Sequence, residues 1–208
     1  MQDIVWFRRF RDIPNVVYHG SPKVDPQSLP AYGDTPQIEK YEFDGETHQS
    51  LDWPTDGGST SASPAHRRAF GDLTGKSTAD LLENLYEGLE LPGEPSDYHF
   101  LIQGCAEELR LRRQQEPNVL EEVEKLCLLD LQLDEACPYA VQDEDNEEPV
   151  FYAILAFGTL IGLYEKEGAL WEALAVAERA VQFDQEHDAR QRLLERISEL
   201  EKEDRPGD

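Results

Sequence analysis

The sequence predicts an all-α body of antiparallel helical hairpins stacked side by side, preceded by an irregular proline-rich arm. From about residue 67 onward, apolar residues recur every three or four positions, which is the spacing of amphipathic helices. Beyond that point the turn-forming residues are confined to short gaps between the periodic segments. Seven of the 13 prolines lie before residue 67, so no long helix fits there. We therefore expect an arm over residues 1–66, a helical domain over 67–204 and a tail over 205–208.

The arm contains two segments, residues 4–10 and 16–19, whose β-branched and aromatic content suits either short strands or an extended chain lying on another surface. We favour the extended chain, and we interpret residues 57–61 as linker-like. Aromatic and arginine side chains are concentrated at Trp6, Phe7, Arg8, Arg9 and Phe10. They can dock on the chain's own helical body, where the arginines would pair with carboxylates, or serve as an exposed recognition element for another protein.

The first clear helix is predicted from about Thr78 to Glu90, where the spacing of the leucines marks one apolar face. Ser77 and Asp80 have the spacing of a capping box, in which each side chain binds the other residue's backbone N–H. Pro92 and Gly93 are expected to end this helix. The inward residues are Leu81, Leu82, Leu85 and Leu89.

A helical hairpin is predicted over about residues 97–134. Ser96 is expected to cap its first helix and Pro117 to close it, while Asn118 and Glu121 are expected to start the second. The inward residues of the first helix are Tyr98, Leu101, Ile102, Cys105 and Leu109. Those of the second are Val119, Leu120, Val123, Leu126, Cys127 and Leu131.

An acidic loop is predicted over residues 138–149, because its charges cannot be buried without a matching basic surface. These charges are Asp143, Glu144, Asp145, Glu147 and Glu148. The next helix, about 150–164, is apolar nearly all round and is expected to be central and buried. Gly168 is expected to end it, an amphipathic helix follows from Leu170, and a terminal capping helix is predicted over about 189–202.

Residues 157–185 resemble one tetratricopeptide repeat, with a glycine at the hairpin turn and small residues on the second helix. The residues that carry the resemblance are Phe157, Leu160, Tyr164, Gly168, Ala173, Ala177 and Ala180. The chain departs from the repeat at Ile161, where a small residue is usual, and at Gln185, where proline is frequent. The hairpin at 97–134 resembles the repeat more weakly.

The resemblance implies a stack that has no reaction of its own and presents a concave face to a peptide or partner protein. The positions that it places in this groove are Leu155, Gly158, Thr159, Gly162 and Lys166. The alternative for the two glycines is that they let a neighbouring helix approach closely.

The formal net charge of −25, from 44 acidic and 19 basic residues, disfavours direct binding to nucleic acids and anionic membranes. It favours a basic protein or peptide partner, although solubility alone also explains such a charge. The predicted function is therefore that of a non-catalytic interaction module, such as an adaptor or a chaperone-type scaffold. The alternative is an acidic inhibitor, either immunity-type or a nucleic-acid mimic, that acts through the carboxylates of the loop.

Neither a cofactor nor a metal site is predicted, because the five histidines do not pair at ligand spacing and no phosphate-binding loop or nucleophile motif is present. His99 is expected to be a packing residue. Three cysteines without close pairing and an N-terminal apolar run of only 4–7 favour reduced thiols and the cytoplasm.

One short motif points to catalysis. Residues 17–21 resemble the first strand of several ADP-ribosyltransferases that hold nicotinamide adenine dinucleotide, and residues 61–65 are similar to a later segment of such folds. The glutamate that these enzymes need is not placed by the sequence. A degenerate enzyme of this kind is a minor alternative, beside a tetrapeptide that occurs in a turn by chance.

Overall fold

A computed structural model of the chain describes residues 9–73, 75–143 and 150–203. Within these ranges the protein is mostly helical, with a small antiparallel sheet in its N-terminal part. The helices are α1 (Pro64–Ala69), α2 (Thr78–Glu90), α3 (Pro95–Leu111), α4 (Val119–Ala136), α5 (Leu155–Glu167), α6 (Leu170–Ala180) and α7 (His187–Glu203). The strands are β1 (Gln37–Phe43), β2 (Glu46–Thr55), β3 (Gly58–Thr60), β4 (Gln142–Asp143) and β5 (Val150–Phe151).

Helix α2 begins and ends where the sequence predicts, and its capping box is confirmed. The Ser77 hydroxyl accepts from the backbone N–H of Asp80 at 3.2 Å, and the Asp80 carboxylate accepts from the backbone N–H of Ser77 at 3.2 Å. These hydrogen bonds to Ser77 also lower the pKa of Asp80. Strong periodicity and a complete cap at one end therefore suffice to fix this helix.

Helix α3 differs from its prediction at both ends. It begins at Pro95, a favoured residue for a first helical position, and its capping pair is Glu94 with Asp97 rather than Ser96. It ends at Leu111, well before Pro117. Helix α4 does follow Asn118, but the Asn118 side chain makes no capping hydrogen bond.

The prediction of a central, nearly all-buried helix after the acidic loop is wrong. Residues 150–151 pair with β4 as a two-stranded sheet, so α5 starts only at Leu155. Its buried residues form one face, and Leu155 on the opposite side is 45% exposed. The backbone N–H groups of Ile154 and Leu155 donate to the side-chain oxygens of Gln185 and Gln103, at 3.1 and 3.0 Å. Amides from distant residues thus complete the start of α5.

The chain is mostly helical, as predicted, but it is not all-α, because β1, β2 and β3 form an antiparallel meander between residues 37 and 60. The first turn is Asp44-Gly45, with φ of 52° and 81°, as a two-residue hairpin with the matching twist requires. The second turn is Asp56-Gly57, and its Gly57 begins the segment 57–61, interpreted from the sequence as linker-like. All seven residues of β1 are exposed, while Leu51 and Trp53 of β2 are buried.

The described part of the arm docks on the helical body. Phe10 is fully buried, and its ring meets those of Tyr18 and Tyr98 edge-on, at centroid distances of 5.2 and 5.3 Å. Arg9 lies 4.0 Å above the ring of Tyr32, and Arg11 forms an ion pair with Glu90. The predicted arm residues Trp6, Phe7 and Arg8 lie outside the described residues.

Consecutive helices from α2 to α7 contact each other in chain order, and α1 contacts both α2 and α3. Residues from the arm and from all seven of these helices join one apolar core. Gly168, at a φ of 78°, ends α5 and turns the chain into α6 as predicted. In the described ranges no helix is sufficiently long and apolar to cross a bilayer.

Docking of the arm predicts a large effect for one phenylalanine. Phe10→Ala should lower the free energy of unfolding by about 3 kcal/mol, because it removes a fully buried ring from a packed site. Urea denaturation followed by far-UV circular dichroism measures the free energy of unfolding of the wild type and the variant. Phe43→Ala is the control, since Phe43 is 68% exposed and its loss should change stability by less than about 0.5 kcal/mol. Equal effects of the two substitutions would show that the arm does not pack on the body.

Candidate functional site

The five groove positions implied by the repeat resemblance line a single open cavity of about 430 Å³. They follow one another at helical spacing along α5 and lie on its less buried side. The facing walls come from α3, from α4 and from the residues that follow α6. These walls contribute Glu107, Arg110, Arg113, Leu120, Gln185 and Glu186.

The two groove glycines do not serve close helix packing. A Cβ atom built on Gly162 would have no atom within 4 Å, so this position faces open space. A Cβ on Gly158 would meet the Glu186 side chain at 3.1 Å, and no backbone atom is nearer. Glycine inside a helix costs roughly 0.5–1 kcal/mol relative to alanine. At Gly162 this cost brings no packing gain, and its visible result is an unfilled groove.

The lining of the groove carries three cations, Arg110, Arg113 and Lys166, beside two carboxylates, Glu107 and Glu186. The guanidinium of Arg110 donates to both carboxylate oxygens of Glu107, at 2.7 and 2.8 Å, and these hydrogen bonds lower the pKa of Glu107. Arg113 donates to the backbone carbonyl of Arg110 at 3.0 Å. Among the described residues, neither Arg113 nor Lys166 forms an ion pair with a carboxylate. The groove therefore offers two cations to a ligand.

A second cluster lies in the core between α3 and α4. His99 is fully buried, and its Nδ1 lies 3.0 Å from an oxygen of Asp130 and 3.2 Å from an oxygen of Asp134. Burial alone would lower the pKa of His99, but the two carboxylates outweigh it and raise that pKa to about 10. Burial, together with the charge of Asp134, raises the pKa of Asp130 to about 7. The cluster thus favours positive charge and resists two uncompensated negative ones.

The sequence did not predict this cluster. The sequence predicts His99 as a packing residue and gives no reason to pair it with Asp130 or Asp134. The usable signal was the pair of acids Asp130 and Asp134 one turn apart, within the apolar face of α4. Buried acids at that spacing need partners from another element, and α3 provides one.

A serine, a histidine and an aspartate meet near α1, but not in the order that acyl transfer requires. The Ser63 hydroxyl donates to one oxygen of Asp97 at 2.7 Å, and His66 Nδ1 lies 2.9 Å from the other oxygen. Both groups therefore share the carboxylate, whereas a catalytic serine is hydrogen-bonded to the imidazole. Ser63 instead caps α1 by accepting from the backbone N–H of His66 at 2.9 Å.

The Tyr-His-Gly-Ser motif lies beside a glutamate that the sequence alone did not place. A Cβ on Gly20 would lie 3.0 Å from the Glu90 side chain, and Glu90 pairs with Arg11. The Glu90 side chain is only 1% exposed. Burial, followed by the charge of Glu90, raises the pKa of Tyr18 well above its ordinary value. This buried glutamate binds the arm to α2 through its ion pair with Arg11.

The acidic loop is described only at its edges. Asp143 lies in β4 opposite Val150, whereas Glu144, Asp145, Glu147 and Glu148 are outside the described residues. A further concavity, of about 830 Å³, lies between two groups of turn residues, 30–34 and 54–57, and the helices α1 and α2. Arg67 and Arg68 line it together with Asp34 and Asp56, so its charges are balanced.

Comparison with protein-family models, with curated proteins and with solved structures gives no match. The resemblance to tetratricopeptide repeats therefore stays a prediction that rests on residues 157–185.

The pair formed by Arg11 and Glu90 yields a test of the arm's attachment. Arg11→Met should lower the free energy of unfolding by about 2 kcal/mol, because it leaves a buried carboxylate without its cation. Adding Glu90→Gln should restore more than half of the loss. The control is Arg179→Met, which breaks a more exposed pair with Glu135 and should cost less than about 1 kcal/mol. If the double variant is no more stable than Arg11→Met in urea titrations, the ion pair is not what holds the arm.

Proposed function

We propose that this protein is a non-catalytic interaction module, similar to a tetratricopeptide-repeat adaptor, that binds a peptide segment of a partner protein in the groove along α5. One observation carries the proposal. Five positions selected from sequence resemblance line one open cavity, and its glycine at 162 leaves space that the fold does not use. A groove of several hundred cubic ångströms between helices suits a few side chains of a peptide.

The lining of the groove defines the kind of segment that fits. Leu120, Leu155 and Leu163 offer apolar contact, and Arg113 and Lys166 offer charge without a carboxylate partner among the described residues. The segment should therefore combine apolar side chains with a carboxylate, which charge-assisted hydrogen bonds to these two cations would anchor. The net charge of −25 favours a partner whose remaining surface is basic.

Filling the groove tests its role sterically. Gly162→Phe should reduce partner affinity at least tenfold, because the ring would occupy the open space, without loss of stability. Gly162→Ala should raise the free energy of unfolding by about 0.5–1 kcal/mol, since it removes a helical glycine. Wild type and Gly162→Phe serve as matched baits for a displayed peptide library. Gly104→Phe is the control, because Gly104 is a helical glycine of α3 outside this groove.

The peptides enriched from the library show whether the groove is the contact surface. The proposal expects enriched peptides with apolar and acidic residues that bind wild type and Gly104→Phe, and that fail to bind Gly162→Phe. Enriched peptides that bind all three proteins equally would remove the groove as the contact surface.

Charge substitutions distinguish binding in the groove from binding by the acidic loop. If the partner binds in the groove, Lys166→Glu should lower the affinity for the partner at least tenfold. Neutralisation of the acids in 143–148 should then lower that affinity only modestly. The acidic-inhibitor function predicts the reverse order, because the loop itself would then make the contact. Arg67→Glu, at the other concavity, controls for the change in net charge. Isothermal titration at two salt concentrations measures both affinity and its electrostatic part.

A further inference from the structure

The His99 cluster is more than a buried ion pair, because most of its polar atoms make no hydrogen bond within the described residues. His99 Nε2, Asp130 Oδ2 and both oxygens of Asp134 are buried and make no hydrogen bond within the described residues. His99 and Asp134 are fully buried and Asp130 is 1% exposed. Leaving a polar atom buried and unpaired costs about 1–3 kcal/mol, and more for a charged one. Three of the four are carboxylate oxygens, and a cation bound beside them would satisfy them.

Charge leads to the same requirement. Two carboxylates face one imidazole, and in the described part of the chain no lysine or arginine forms an ion pair with either of them. With both carboxylates ionised the cluster holds two negative charges beside a neutral imidazole and one beside a protonated imidazole, so it needs either a further proton or a bound cation to become neutral. A divalent cation bound by a neutral imidazole and two carboxylates makes the group electrically neutral, which is the state that a buried site favours.

We propose that His99, Asp130 and Asp134 bind one divalent transition-metal ion, and we take zinc as the ion with which to test the site. The spacing fits, since ligands about 2.0–2.1 Å from a zinc ion lie roughly 3.0–3.4 Å from each other. The two nitrogen-to-oxygen distances here are 3.0 and 3.2 Å, and suitable atoms of all three residues lie within 4.8 Å of one another. One imidazole with two carboxylates suits zinc, manganese, iron or cobalt, whereas magnesium and calcium prefer oxygen ligands alone.

The position of the site assigns it a structural role. His99 lies on α3, and Asp130 and Asp134 lie one turn apart on α4, so the ion links the two helices of one hairpin. Asp130 also lines a cavity of about 10 Å³, close to the size of one water molecule. A water there would complete four ligands. Because the three side chains are buried, the ion would enter as the hairpin folds.

The site also lies directly beneath the groove. Leu155 and Thr159 line both the groove and the small cavity beside Asp130. A metal ion would therefore join α3 and α4, the two helices that form facing walls of the groove. The metal proposal does not depend on the interaction function, because it concerns the composition and stability of the chain alone.

The test is refolding of the full-length protein from denaturant with zinc chloride or with a chelator, followed by desalting and elemental analysis. We expect about one zinc per chain, and a melting temperature higher for the zinc form than for the chelated one. Asp134→Asn should lower zinc affinity at least tenfold and remove the difference in melting temperature. His187→Gln is the control, because it removes a surface imidazole that pairs with Asp184 and should leave zinc binding unchanged.

Zinc content below about a tenth of one ion per chain would overturn the proposal, as would equal zinc in wild type and Asp134→Asn. If Asp134→Asn does not fold, refolding the wild type with cobalt(II) chloride gives an independent answer. A visible absorption spectrum of low-symmetry cobalt supports the site, and a spectrum identical to that of aqueous cobalt refutes it.

Discussion

The packing of α3 is the constraint on which the rest of the structure depends. Helices α1, α2 and α4 all contact it, as does the 3-10 turn at Pro138–Val141. The arm reaches it as well, through the ring of Phe10 on Tyr98. A helix covered on several sides buries polar residues together with apolar ones, and each polar residue then needs a partner from a neighbouring element. Asp97 finds its partners at Ser63 and His66, and His99 finds its partners on α4.

These buried polar contacts fix how the elements around α3 sit. Apolar surfaces tolerate small shifts, whereas a buried carboxylate that loses its partner leaves an unpaired charge at high cost. Asp97 therefore sets the position of α1 against α3, and the His99 cluster sets that of α4. The same logic joins the arm to α2, because Glu90 is buried and its cation comes from Arg11. Charged residues make up 30% of this chain, and a few of them are buried contacts that fix the relative positions of its helices and its arm.

Sequence reasoning succeeded where the information is local. Helix α2 carries its own capping box and leucine stripe, and Gly168 ends α5 because only a residue tolerant of positive φ suits that turn. The sheet was not predicted from the sequence, although Asp44-Gly45 and Asp56-Gly57 are strong hairpin signals. The reason is that β1 is exposed throughout and therefore lacks the alternation of apolar and polar residues that marks a half-buried strand. Sequence reasoning failed for the start of α5 for a different reason. The amides that satisfy Ile154 and Leu155 come from residues 31 and 52 positions away, and no local pattern shows them.

The groove and the His99 cluster differ in the same respect, namely in how far local sequence determines them. The groove positions were predictable because helical spacing along α5 decides which residues share a face, and the cavity then follows from where α3 and α4 lie. The His99 cluster was not predictable from spacing alone, since its members are 31 and 35 positions apart and meet only when the hairpin closes. Yet the two features are physically linked. Helix α5 packs its other face, with Phe157 and Leu160, into the core and leaves the groove side open. The facing walls come from α3 and α4, and His99 joins these two helices through Asp130 and Asp134.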